Sequence, residues 1–323
     1  MNILVTGATG FIGRHLVRRL VNAGRKVRIL TRGHSQVPSE WAGRVEVVTG
    51  NLLDKHCVQS AVKEMAAVVN LAGVIADPAR MREVNVDGAR LLAEAAAESG
   101  ISRLVHVSSA GVVGMPITNV VTEDTPCHPL TLYERSKYEG EQAVSAVAVA
   151  KRLETVILRP TTVFGEGPRP GKDSLLEWMK VVQCGRFVFF GDGGVANYVY
   201  TGDVVEAICQ ALEEKAQRGA VYFVADPASL KEFVTAMADA LGVSVPTGRV
   251  PVWVAYVGAG VMEIGRRLGL PAPLTVARVR ALTCRSVYVG DRFRLAYPAF
   301  KPTGYCEGLR RTVQWYRHVE IGL

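Results

Sequence analysis

A short run of strand formers, Ile3-Leu4-Val5, leads directly into Thr6-Gly7-Ala8-Thr9-Gly10-Phe11-Ile12-Gly13. The apolar residues that follow, Leu16, Val17, Leu20 and Val21, recur at helical spacing until Gly24. Glycines at 7, 10 and 13 between a strand and a helix permit a tight turn, close backbone approach to a pyrophosphate, and close helix–strand contact. The unpaired N–H groups at the helix start would hold the phosphates. Candidate cofactor contacts on this turn are Gly7, Thr9, Gly10, Phe11, Ile12 and Gly13.

The rhythm continues down the chain. Lys26 to Leu30, Val45 to Thr49, Val68 to Leu71 and Leu104 to Val107 read as buried strands, and Val84 to Ser99 as an alanine-rich helix stopped by Gly100. Strands alternating with helices imply an α/β fold, a doubly wound parallel sheet with ligands outside the carboxyl ends of its strands. Those ends carry Gly50-Asn51-Leu52, Leu71-Ala72-Gly73 and Ser108-Ser109. Small residues at 71 to 73 let a cofactor lie against the backbone. Asn51 and Leu52 can frame an adenine ring, though an ordinary turn explains them nearly as well. An acid roughly 20 residues past the glycines would hold a ribose 2′-hydroxyl, but Thr31 and Arg32 stand there instead. A guanidinium suits a 2′-phosphate, which favours NADP over NAD.

Beyond Ser109 lies Tyr133-Glu134-Arg135-Ser136-Lys137. On a helix, residues four apart share a face. Neither a phenol nor an ammonium is a good base at neutral pH, but an adjacent ammonium favours the phenolate. A shift of ~3 units requires about 4 kcal/mol, within reach of one close charge plus a second cation. Such a pair suits proton transfer in alcohol–ketone chemistry, with a serine hydroxyl at 108 or 109 orienting the substrate oxygen.

Taken together, TGATGFIG, NLAG, SSAGVVG, YERSK and RPTTVFG, in this order, resemble an extended short-chain dehydrogenase/reductase, the NAD-dependent epimerase/dehydratase group. The resemblance covers the whole chain. It implies that Tyr133 is the general acid/base, Lys137 its pKa partner and ribose ligand, and Ser109 the catalytic hydroxyl. It also implies pyrophosphate contacts at Gly7, Gly10, Phe11 and Ile12, a nicotinamide-side loop from Pro160 to Val163, and a homodimer through helices 84–99 and 133–150. Ala89, Leu92, Ala93 and Ala96 on one helix, and Ala143, Val144, Val147 and Ala148 on the other, form stripes suited to that interface, although sheet-covering helices carry such stripes too.

Three departures bear on the substrate. Thr162 stands where nucleotide-sugar members usually carry an asparagine, Ala196 where they carry an arginine, and Asn51 replaces an adenine-side acid. The first two weaken a nucleotide-sugar reading, because a diphosphate needs charged or amide donors. The pattern Asn197-Tyr198-Val199-Tyr200-Thr201-Gly202-Asp203-Val204, with Arg32, is closer to the dihydroflavonol-reductase-like and 3β-hydroxysteroid-dehydrogenase-like branch. Candidate substrate contacts are Ser108, Thr162, Asn197 and Arg292; Arg292 and Arg294 are equally readable as rim charges.

Domain limits follow from where the alternation breaks. Residues 1–165 form the Rossmann domain, with a return segment at about 198–225, and 166–197 plus 226–323 form a smaller substrate lobe. In that lobe Val252, Trp253, Tyr256, Val257, Val261 and Met262 either cover an apolar substrate or pack the lobe onto the main domain. The longest apolar run, Val250 to Met262, is too short to span a bilayer, though it could touch a membrane surface. No signal peptide or transmembrane segment is expected, which makes the cytoplasm the default location. The six cysteines and six histidines show no metal-ligand spacing, so no metal is expected. A net charge of +8 is spread along the chain, which argues against nucleic acid and leaves a small molecule as the substrate. Three functions remain: a dehydrogenase or reductase at a secondary alcohol or ketone, a nucleotide-sugar epimerase or dehydratase with tightly held NAD, and a non-catalytic NADP sensor.

Overall fold

Alternate side chains along the first strand divide two cores. Ile3 and Val5 face one side, where Leu16, Val17 and Leu20 pack, and Leu4 faces the other, with Leu92, Ala93 and Val144. This is the period of two expected of a strand buried on both faces. The computed structural model describes residues 1–33, 37–116, 118–167, 174–213, 219–267 and 274–319. The loop read at Pro168, Pro170 and Gly171 and the helix breakers Pro271 and Pro273 lie outside them.

The central sheet has seven parallel strands: β1 (Asn2–Thr6), β2 (Lys26–Thr31), β3 (Val45–Thr49), β4 (Ala67–Asn70), β5 (Arg103–Val107), β6 (Thr155–Pro160) and β7 (Ala220–Val224). Their order is β7-β6-β5-β4-β1-β2-β3. The winding reverses between β1 and β4, so the crevice belongs at the carboxyl ends of those two strands. Helix α1 (Phe11–Asn22) and the helix Thr201–Glu213 cover one face. Helices α2 (Ala89–Glu98) and α3 (Leu132–Lys151) and the short helix Lys55–Val62 cover the other.

Three expectations need correction. Strand β3 is not buried: it is the last strand of the sheet, and Val47 remains 44% exposed. The single helix expected over 84–99 begins earlier and is interrupted. A short helix, Pro78–Arg82, runs into a π-helical turn, Glu83–Gly88, before α2. The dimer stripes are mostly consumed within the chain. Ala89, Leu92, Ala93, Ala96, Val144, Val147 and Ala148 are buried against the sheet and one another, and Ala143 is half-buried. A partner meeting α3 would find Ala146, Val149 and Ala150 instead, all exposed.

After β6 the chain leaves the sheet. Phe164, Met179, Phe233, Met237 and Leu309 build a separate core. A smaller cluster, Phe190, Ala255, Ala259 and Val279, lies under helices α4 (Val252–Arg267) and α5 (Val276–Thr283). Tyr256 of α4 packs against this cluster as expected, but its other large residues do not turn inward. Trp253, Val257 and Val261 are 70%, 61% and 65% exposed, because the small Ala255 and Ala259 occupy the inner face. Among the described residues no helix is long and apolar enough to cross a membrane, and no His/Cys/Asp/Glu group could hold a metal.

One close approach sets how α3 meets the π turn. A Cβ on Gly140 would fall 2.0 Å from the Asn85 carbonyl oxygen, backbone that cannot yield to a methyl group. Gly140→Ala should therefore destabilise the fold by roughly 2 kcal/mol or more, read as a lowered urea midpoint with an unchanged slope.

Candidate active site

Helix α3 starts where it does because of a reciprocal cap. Glu134 N–H donates to Thr131 Oγ1 at 3.2 Å, and Thr131 N–H donates to Glu134 Oε2 at 2.9 Å. The Thr-x-x-Glu pattern is a capping box legible in the sequence. It puts Tyr133 in the first turn and Lys137 one turn deeper. The Tyr133 hydroxyl is hydrogen-bonded to Ser109, whose Oγ also accepts Gly111 N–H at 3.1 Å and so caps a 3₁₀ turn after β5. Lys137 is only 5% exposed, and its Nζ donates to the Val107 carbonyl at 2.7 Å. One turn further, the Glu141 carboxylate forms a buried ion pair with Arg159 of β6.

Burial dominates the electrostatics. It lowers the Lys137 ammonium to about 8, with Glu141 opposing. It raises the Tyr133 phenol above its ordinary value, against the Ser109 hydrogen bond, with Glu134 adding to the rise. This corrects the expectation of a phenol acidified by its lysine. Within the polypeptide alone, loss of hydration is the largest influence on the phenol, and the Lys137 ammonium is turned to a carbonyl. His106 is pushed well below its usual value by burial and then by Lys137, so it is neutral. Asn70 Oδ1 accepts from Thr6 and Ala72, leaving its amide to donate to His106 Nδ1 at 3.1 Å. The His106 proton therefore sits on Nε2.

These groups open onto a crevice at the switch between β1 and β4. One part encloses about 400 Å³ between Gly7, Phe11, Ile12, Gly73, Ile75, Tyr133 and Thr162. Ser108, Ser109, Lys137, Pro160 and Val163 line it as well. The other encloses about 310 Å³ and is lined by Thr9, Arg32, Asn51, Leu52, Ala72 and Arg80. Gly7, Gly10, Leu71 and Gly73 border both parts, and Gly13 borders the first. Gly7 has φ +68°, and a Cβ there would lie 2.5 Å from the Leu71 backbone, so only glycine leaves the crevice open. Helix α1 starts after Gly10 without a side-chain cap or an acid in its first turn, so its positive end suits an anion. Among the described residues, the buried hydroxyls of Thr31, Ser108 and Thr161 have no hydrogen-bond partner. A glycine cradle with spare donors along its length fits a dinucleotide.

Two proposed substrate residues are engaged elsewhere. Asn197 donates to the Ser286 carbonyl at 2.8 Å and accepts Tyr288 N–H at 3.1 Å, fixing the strand Val287–Tyr288. Arg292 pairs with Glu123 and Asp124. Neither lines the crevice, because local partners claim them first. Arg80 was missed, while Asn85, in the Asn-Val-Asp-Gly stretch, and Thr161, inside the Pro160 to Val163 loop, were given no role of their own. Asn85 clamps Val74 through both backbone groups, at 2.7 and 3.0 Å, and donates to Ser136 at 2.8 Å, tying the loop after β4 to α3. Thr161 offers its free hydroxyl. Arg80 comes from the helix Pro78–Arg82 across the crevice, and no local pattern announces it.

A model of the NAD dependent epimerase/dehydratase family matches residues 3–225. The chain belongs to that family. Over 99% of its length it is 27% identical to 3beta-hydroxysteroid-dehydrogenase/decarboxylase isoform 2 of Arabidopsis thaliana, of which it spans 62%. It is 30% identical to UDP-glucose 4-epimerase of Bacillus subtilis (strain 168), over 66% of this chain and 73% of that one. The crystal structure of the Thermus thermophilus UDP-glucose 4-epimerase in complex with NAD superposes with a TM-score of 0.72 at 26% identity, covering 98% of this chain and 99% of that one. An epimerase/dehydratase-family enzyme of this kind is an NAD(P)-dependent oxidoreductase or an epimerase/dehydratase.

The buried ammonium carries a pH signature. The unfolded lysine keeps its proton up to 10.5, while the folded one loses it near 8. Between those values the unfolded state binds more protons, so stability rises with pH by up to roughly 3 kcal/mol from this group. Urea unfolding should show the stability of wild type minus that of Lys137→Met increasing across this window and flat below it.

Proposed function

We propose that this enzyme is an NADP(H)-dependent dehydrogenase or reductase acting at a secondary alcohol or ketone carbon of a largely apolar substrate. The observation behind this is the lining around Tyr133: among the described residues of that part of the crevice, Lys137 is the only charged side chain. A nucleotide diphosphate would find no guanidinium there. The match to the Arabidopsis relative also extends over the C-terminal lobe.

A reduced nicotinamide held against Pro160 to Val163 would supply the hydride for reduction. Ser109 donates a hydrogen bond to the substrate oxygen, and Tyr133 gives that oxygen its proton. Lys137 then faces a phenolate, and its charge stabilises it. Oxidation runs the same steps backwards, and there a cationic nicotinamide would offset the burial that otherwise raises the phenol. At the far end Arg32 and Arg80 line the same space, and neither side chain has a partner among the described residues, which supports a 2′-phosphate.

Tyr133→Phe should lower turnover of an apolar ketone by about 10²-fold or more while leaving NADPH affinity nearly unchanged; retained activity would reject the assignment. Arg32→Asp should weaken NADPH binding about ten- to a hundredfold and leave NADH binding equal or tighter. Equal affinity of wild type for both coenzymes would remove the NADP preference. The Bacillus relative keeps a second function in play, epimerisation or dehydration of a nucleotide sugar with trapped NAD. Copurified NAD and calorimetric heat on adding UDP- or dTDP-sugars would favour it over the first.

A further inference from the structure

Helix α4 wears its large apolar side chains on the outside. Trp253, Val257, Val261 and Ile264 are 70%, 61%, 65% and 63% exposed. At 3.6 residues per turn they fall within an arc of about 80°. A helix that merely packed its lobe would turn these residues inward and leave polar ones in water. Here Ala255 and Ala259, 3% and 0% exposed, make the internal contact together with the half-buried Tyr256, and a contiguous apolar ridge is left facing out.

The charge along this stretch of the sequence is one-sided. Between residues 249 and 285 the sequence holds Arg249, Arg266, Arg267, Arg278, Arg280 and Arg285 against a single acid, Glu263. That acid is committed internally: its Oε1 accepts Val276 N–H at 3.1 Å and caps α5. Arg249 and Arg285 share one exposed neighbour, Asp192, at 3.9 and 3.6 Å. The hairpin α4–α5 thus combines exposed apolar bulk, a tryptophan and net positive charge, the combination that holds a helix in the headgroup region of an acidic bilayer.

Its position ties the ridge to the site. From α5, Arg280 reaches the Met115 sulfur at 3.6 Å. Met115 follows Gly114, beside which Leu130 packs, and the chain then runs through Leu132 to Tyr133. Met115, Leu130 and Leu132 are 53%, 54% and 61% exposed, so the rim nearest the hairpin is apolar too.

We infer that α4 docks this enzyme onto the surface of anionic phospholipid membranes without crossing them. The docking rests on the exposed ridge and the arginines, independently of which alcohol or ketone is turned over.

Co-sedimentation with sized vesicles tests it, using the full chain. Wild type should pellet with mixed phosphatidylcholine–phosphatidylglycerol vesicles at low salt, and far less with phosphatidylcholine alone or at high salt. The variant Trp253→Ser/Val257→Ser/Ile264→Ser should lose partitioning by about tenfold or more while keeping its far-UV spectrum and NADPH affinity. Because a surface triple change can still fold poorly, Arg278→Glu/Arg285→Glu provides a second variant: with the ridge intact, it should lose the preference for phosphatidylglycerol. Failure of wild type to pellet with anionic vesicles, or equal pelleting of wild type and both variants, would overturn the inference. So would lipid-free self-association that light scattering detects in wild type and not in the serine variant, which would give the ridge to a second copy.

Discussion

An ammonium group held out of water is the constraint on which the site depends. Lys137 is buried between α3 and the end of β5, where the Val107 carbonyl and the field of Glu141 compensate for lost hydration. Isolated, such a charge would be expelled or neutralised. It is tolerated because helix and sheet are held in register around it. The Glu141–Arg159 pair spans α3 and β6, Asn85 and Ser136 fasten the π turn, and Gly140 lets the two backbones touch. Stability lost at the lysine is offset by packing on either side of it.

The same burial leaves the proton-transfer group unfinished in the polypeptide alone. The Tyr133 phenol is raised, not lowered, and its one hydrogen bond from a side chain comes from Ser109. In the proposed oxidative reaction a cationic nicotinamide would oppose that rise.

The second lobe follows different rules. The sheet is tied by parallel ladders and alternating faces, whereas the lobe is assembled from aromatic contacts such as Tyr198 on Phe233, stacked with centroids 4.8 Å apart. Its outer hairpin shows apolar bulk to the surroundings.

How much of this was legible in the chain follows from the range of the interactions. Glycine spacing, strand alternation and the four-residue step from Tyr133 to Lys137 are local, so the doubly wound sheet and the residues lining the crevice could be read directly. So could the start of α3, from Thr131 and Glu134. What the sequence left undetermined depends on partners distant in the chain. Asn197 is consumed by residues 286 and 288, Arg292 by 123 and 124, and Arg80 meets Arg32 only across the crevice. The alanine stripes of α2 and α3 face the sheet, and the ridge of α4 faces out, although both have helical periodicity. Periodicity defines a face; only the packed fold decides what lies opposite it. The phenol was misjudged for the same reason: residue types give the sign of a charge interaction, but desolvation is a property of the folded interior.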